Sequence, residues 1–178
     1  AEIRKNLGFL GDFFSDFSAG VNAAYIYSDI AGLAPIPRTA LDLPPEEIIV
    51  DTSLVDRRLQ GQPTYTLNVF LNYTKGSFET NLNFNVQGNS IFLSNDPLLQ
   101  NGSPQAFNIR DLFRQPRPNL GFNVQYSLKD ALTFRFSANN LLNPEFATIH
   151  DYDPEDLFFE NYRAGRKFAF GISYRLIK

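Results

Sequence analysis

The 178-residue sequence contains no cysteine, no methionine and no tryptophan, and its only histidine is His150. Without cysteine there is neither a disulfide framework nor a thiolate metal site, and the redox compartment is left open. A lone histidine rules out a metal site built on several His, and it leaves one candidate for any His-based triad. Sixteen Lys and Arg against nineteen Asp and Glu give a net charge of -3. The cations are scattered, so the basic field expected of a nucleic-acid partner is missing. No run approaches the roughly 18 apolar residues of a membrane-spanning helix, although membrane strands, which alternate, escape that test. No segment of the sequence reads as a signal peptide or as a phosphate-binding glycine loop, since "RAGRK" lacks the spacing. An initial Ala and the lack of any Met suggest that a longer chain precedes this one.

What is abundant is Phe, at 18 residues, with 8 Tyr and many Asn set among the apolar positions. The C-terminal stretch "KFAFGISYRLIK" places Phe168, Phe170, Ile172, Tyr174 and Leu176 at alternate positions, with small or polar residues between them. Only a strand sends successive side chains to opposite faces in this way. The same period runs through residues 17–28, 64–73, 78–88, 120–128 and 132–139, and a weaker version through the first nine residues, where Lys5 interrupts the apolar side. Ile26 and Phe70 fall on the polar side of their segments. Period two at this regularity predicts antiparallel strands, and no segment repeats at helical spacing.

The connections alternate in length. "TKGS" and "KD" are hairpin-sized, whereas residues 29–63, 89–119 and 140–165 are long and hold most of the prolines. The expected fold is therefore all-β: an up-and-down meander of six or seven strands with its long loops at one end.

Two sheets satisfy this pattern. One is a soluble β-sandwich, for which a carbohydrate-binding module is the natural function. The other is part of an outer-membrane barrel, with the apolar face toward lipid and the polar face toward a wet lumen. The strand charges Glu79, Arg135, Lys167 and Arg175 all lie on the polar face. Tyr73, Phe78, Tyr126 and Tyr174 gather at the short-turn end, and Tyr25, Tyr27 and Tyr65 at the other. Two aromatic bands match interfacial girdles, and short turns with long loops match outer-membrane barrels, so the barrel is favoured. Short periplasmic turns then put the C-terminus in the periplasm. Single-chain bacterial barrels have about eight strands or more, so this chain is expected to form part of a larger wall.

On that reading Asn81, Asn83, Asn85, Asn123, Gln125, Arg135, Asn139 and Arg175 form a lumen-facing polar wall, suited to hydrogen-bonding a plug or a hydrophilic ligand. Phe92, Phe107, Phe146 and Tyr152 are loop aromatics that could contact a ligand. The acidic run Asp151, Asp153, Glu155 and Asp156 lacks the glycine and distant glutamate of a calcium loop and is read as a solvated loop. No catalytic constellation, metal site or cofactor is expected.

The segment "FSANNLLNPEF", followed by "YRAGRKFAFGISYRL", resembles the closing hairpin of TonB-dependent outer-membrane receptors. In that family the penultimate strand runs into an N-L-(L/F)-N-x-x-(Y/F) element, matched by Asn140, Leu141, Leu142, Asn143 and Phe146. The last strand begins Y-x-x-G-R, matched by Tyr162, Gly165 and Arg166. "RRLQGQPTYTLNVFLNY" and "EIRKNLGFLGD" are similar to earlier elements of receptors from Bacteroidota-like bacteria. The resemblance implies a barrel of about 22 strands around a plug, importing a scarce ligand such as a siderophore, vitamin or oligosaccharide with energy from the TonB complex. This chain would supply its last seven or so strands; the plug and TonB box are not in the sequence. The tail is similar to the signal read by the barrel-assembly machinery, with Gly171, Tyr174 and Leu176 in the matching places. The implied partners are outer-membrane lipid, the rest of the barrel, the plug, the TonB complex and the assembly machinery.

Overall fold

The structure is a computed structural model that describes residues 1–33, 54–93, 111–128, 131–150 and 157–175. Its strands in chain order begin with β1 (Glu2–Asn6), β2 (Phe17–Tyr25), β3 (Ile30–Leu33), β4 (Leu54–Arg57), β5 (Tyr65–Lys75), β6 (Phe78–Gln87) and β7 (Ser90–Leu93). They continue with β8 (Leu112–Arg114), β9 (Asn119–Leu128), β10 (Leu132–Asn139), β11 (Phe146–His150), β12 (Leu157–Tyr162) and β13 (Lys167–Tyr174). Among the described residues two short 3-10 turns, Gly8–Leu10 and Asp12–Phe14, are the other regular elements.

The expected meander is present. A seven-stranded sheet runs β1-β2-β5-β6-β9-β10-β13, every neighbouring pair antiparallel and each strand beside its predecessor in the wall. Strands β2, β5, β6 and β9 are 9, 11, 10 and 10 residues long. At one end Gly76 and Ser77 close the β5–β6 hairpin as a two-residue loop, while the β1–β2 connection at the same end runs over residues 7–16. None of the described sheets closes on itself, and β1 and β13 are the two edges of the main one.

The register fixes what each face carries. One lateral row reads Asn72, Asn81, Asn123, Ser137; the next row reads Tyr73, Thr80, Val124, Phe136, Phe170. Polar and apolar rows alternate because the side-chain period is two, so a one-residue slip would invert every face.

Two residues that broke the sequence pattern have physical explanations. Phe70 sits on the polar face opposite Gly20. A Cβ at Gly20 would run into Phe70 Cζ, so the ring occupies the space the glycine leaves. The Arg4 guanidinium stands 5.7 Å from the centre of the same ring. Lys5 does fall on the apolar face, but at the strand's end, and its Nζ reaches to 4.2 Å from the Phe9 ring centre. The stem lies along apolar surface while the ammonium finds a π face.

The long connections are not plain loops. A four-stranded sheet, β7-β8-β11-β12, and a two-stranded sheet, β3-β4, are built from them. Chain order makes these an upper storey of the same wall: β6 continues into β7, β8 leads into β9, β10 into β11, and β12 into β13. The lateral order β7-β8-β11-β12 thus repeats β6-β9-β10-β13 below it. Backbone bonds from Gly61 N to Ile91 O (2.8 Å) and from Thr64 N to Asn89 O (3.1 Å) tie the chain leading into β5 to β7 and to the segment before it.

The buried apolar side chains cluster at this junction. Val86, Ile91, Leu112, Ala138, Ala147 and Ile149 are all under 10% exposed, and Thr148 is buried between Ala147 and Ile149. Away from Val86 and Ala138, at the junction, the described residues leave much of the main sheet's apolar face open. Leu82, flanked by strands on both sides, is still 39% exposed, and Val69 is 36% exposed.

Candidate functional site

The polar face carries an amide lattice. Asn81 donates to Asn72 Oδ1 at 2.6 Å, and Asn83 donates to Asn81 Oδ1 at 2.9 Å. Asn85 donates to Asn68, and Asn72 reaches Ser18 Oγ at 3.5 Å. The cross-strand pairs Asn72–Asn81, Asn68–Asn85 and Ser18–Asn72 each lie in one lateral row, and Asn83–Asn81 links alternate positions along β6, which is why asparagine at alternate positions produces contact rather than scatter. An amide offers both donor and acceptor, so such a row can satisfy itself and still present groups outward.

Toward the short-turn end the lattice becomes charged. Glu79, Gln125, Arg135 and Gly171 share a row, and Arg135 Nε donates to Gln125 Oε1 at 2.9 Å. This part of the face borders a hollow of about 650 Å³, lined among others by Arg4, Ser18, Asn72, Asn81, Asn123 and Arg135. Among the described residues no group of three or more His, Cys, Asp or Glu could hold a metal ion.

The expected wall residues are therefore brought onto one face with two at its margins. Asn139 stands at the end of β10 opposite Lys167, and Arg175 follows β13, its amide donating to Ala131 O at 2.7 Å. The same polar face also carries Arg4, Ser18, Asn68, Asn72 and Asn119, which join the named residues through the register.

The loop aromatics fare differently. Phe92 and Phe146 belong to β7 and β11, half-buried rather than at loop tips. Arg114 covers the Phe92 ring at 4.2 Å and Arg117 covers that of Phe146 at 4.8 Å. They brace the upper storey. Phe107, Tyr152, the acidic run 151–156 and Leu176 lie outside the described residues. Gly171 and Tyr174 sit in β13 opposite Arg135 and Leu132.

The two elements that carry the sequence resemblance meet in space. Asn140 and Asn143 both adopt left-handed backbone, at φ 57° and 48°. Asn140 Nδ2 donates to Gly165 O at 2.6 Å, and Gly165 N donates to Asn143 Oδ1 at 3.0 Å. Arg166 Nε donates to Leu141 O at 2.8 Å, while Phe146 and Tyr162 are register partners with ring centres 5.3 Å apart. Gly165, at φ 80°, turns the chain from β12 into β13. Asparagine is the side chain that best tolerates this conformation and can also reach backbone nearby, so its repeat at 140 and 143 forms a clamp.

Comparison with known protein families, with curated proteins and with solved structures finds no match.

Proposed function

We propose that this chain is a segment of an outer-membrane β-barrel wall, and that the barrel is a TonB-dependent receptor importing a scarce ligand. The observation that carries the membrane reading is the uncovered apolar face of the seven-stranded sheet. In a soluble sandwich, the side chains of central strands on that face would be buried against a second sheet. Leu82 and Val69, in central strands, keep more than a third of their surface open. A contiguous exposed apolar face of this size in water is an aggregation hazard, whereas in lipid it is the required surface. The four strands β2, β5, β6 and β9, at 9 to 11 residues, also match the length of tilted membrane strands, roughly 9–11 residues.

The polar face then looks into the lumen and the short turns into the periplasm. Rings at the short-turn end form a band: Phe17 to Tyr73 at 4.6 Å between centres, Tyr73 to Phe78 at 6.0 Å, with Tyr126 opposite Phe78 in the register. At the other end Tyr25 and Tyr65 pair across β2 and β5. Such belts suit headgroup depth, where an amphipathic ring finds both phases. The open edges of β1 and β13 call for neighbouring strands, since unpaired backbone cannot face hydrocarbon. The receptor assignment, and with it the plug, the TonB complex and the assembly machinery as partners, rests on the paired motifs joined at Gly165.

Membrane fractionation tests the reading. The protein is expected in the outer-membrane fraction and in solution only with detergent; a monodisperse, detergent-free product would overturn it. For the receptor assignment, ligand import is expected to stop, with surface binding retained, in cells lacking TonB.

A further inference from the structure

The connection from β1 to β2, residues 7–16, is longer than a barrel's short turns need and is unusually apolar at its surface. Phe9, Leu10 and Phe13 are 63%, 57% and 75% exposed. This exposure does not come from slack chain. Leu10 and Gly11 donate back to Leu7 and Gly8, Phe14 and Ser15 donate back to Gly11 and Asp12, and Leu7 N bonds Phe17 O. Asn6 braces the inside, accepting from Gly8 N at 2.7 Å and donating to Ser15 O at 2.8 Å. Asp16 fastens the far end: its carbonyl accepts from Thr74 N at 3.0 Å and its carboxylate meets Lys75 at 3.3 Å. A turn whose backbone is held by this many hydrogen bonds could have carried polar side chains outward at no structural cost.

Instead its rings continue the aromatic band of the wall. Phe13 touches Phe14 (5.2 Å between centres) and Phe17 (5.9 Å), and Phe17 touches Tyr73. Lys5 sets its ammonium over Phe9 from the apolar face of β1. Apolar rings continuous with a lipid-facing surface, with a lysine at the margin able to reach phosphate, have the chemistry of an interfacial anchor.

Resting on the barrel reading above, we infer that residues 7–16 form a foot that lies in the periplasmic leaflet, Phe9, Leu10 and Phe13 entering the phospholipid headgroup and acyl boundary instead of periplasmic water. Anchors of this kind enter to about 5–10 Å, shallower than the middle of β13.

The sequence has no tryptophan, so a single introduced indole reports its own depth. Phe13→Trp and, as a second reporter in the same turn, Phe9→Trp are compared with Phe170→Trp in the wall. Each is made in the full protein, with any tryptophan outside these residues changed to phenylalanine, and reconstituted into phosphatidylcholine and phosphatidylglycerol vesicles. The expected result is blue-shifted emission for all three. Lipids brominated near the headgroup should quench the two turn reporters most, and lipids brominated deeper should quench Phe170→Trp most. If Phe170→Trp is quenched by bromolipid while both turn reporters respond only to aqueous acrylamide, the foot is wrong and the barrel stands. Turn reporters shielded from both quenchers would indicate a protein partner and also overturn the proposal. No bromolipid quenching at any of the three positions would sink the barrel reading itself.

Discussion

Asn143 offers the sharpest test of the clamp that joins the last hairpin. Its Oδ1 accepts the Gly165 N–H at 3.0 Å while its own backbone sits at φ 48°. Asn143→Gly deletes the acceptor but suits the left-handed conformation, so the direct loss is one hydrogen bond, about 0.5–1.5 kcal/mol. Glycine also frees the unfolded chain, which removes about 0.4–1 kcal/mol more. Asn143→Ala loses the same bond and adds a left-handed Cβ penalty of about 1–2 kcal/mol. The alanine variant should therefore be the less stable of the two, by about 1 kcal/mol once the glycine term is subtracted. Asn143→Asp keeps both an acceptor and tolerance of this backbone, and should stay closest to the parent. Urea unfolding in a fixed detergent, followed by far-UV circular dichroism, reads these differences as midpoint shifts at constant slope. A glycine variant as unstable as the alanine variant, or an aspartate variant no better than either, would refute the clamp.

Three further outcomes follow from the geometry. Gly20→Ala should destabilise by about 1–3 kcal/mol, because its Cβ meets the Phe70 ring, and Phe70→Leu in the same chain should recover much of the loss; additive effects in the same unfolding assay would contradict the contact. Phe170→Arg should cost about 2–4 kcal/mol in lipid vesicles, whereas Ala169→Arg on the opposite face should cost well under half of that, so equal costs would be incompatible with a lipid face. Asp16→Asn should shift stability by no more than about 1 kcal/mol, since the Lys75 side chain is 69% exposed and the pair is screened; a larger drop would mean that the ion pair itself holds the foot.

The seven strands of the main sheet were legible because one physical constraint acts along their whole length. Alternation over eight to eleven residues, as in "TNLNFNVQ", has no helical explanation, and the strands fall within a few residues of the expected bounds. Even β1 was visible through Ile3 and Leu7 despite Lys5, whose compensation by Phe9 is a tertiary fact. The upper storey was not legible. β8 has three residues, "FATIH" in β11 is buried on both faces and so does not alternate, and "LFFENY" in β12 is exposed on both. Their pairing is imposed by the strands below. That Asn81, Asn83, Asn85, Asn123, Gln125 and Arg135 share one polar face was readable, since face assignment follows from period two. Its lattice of bonds depends on register, which needs the lateral order of strands. The clamp was foreshadowed only as two motifs 20 or so residues apart; the left-handed asparagines that join them leave no mark in periodicity.

The central claim is that one face of the seven-stranded sheet meets lipid and the other meets water. Because the sequence has no cysteine, single cysteines at positions 168 to 173 of β13, each carrying a nitroxide, can be scanned in the full protein in vesicles, any cysteine outside these residues being removed first. Collisions with oxygen, which concentrates in hydrocarbon, should be high at 168, 170 and 172, and collisions with a water-soluble nickel chelate high at 169, 171 and 173, the two series out of phase by one residue. A nickel response at every position, or the two reagents rising and falling together, would contradict the account.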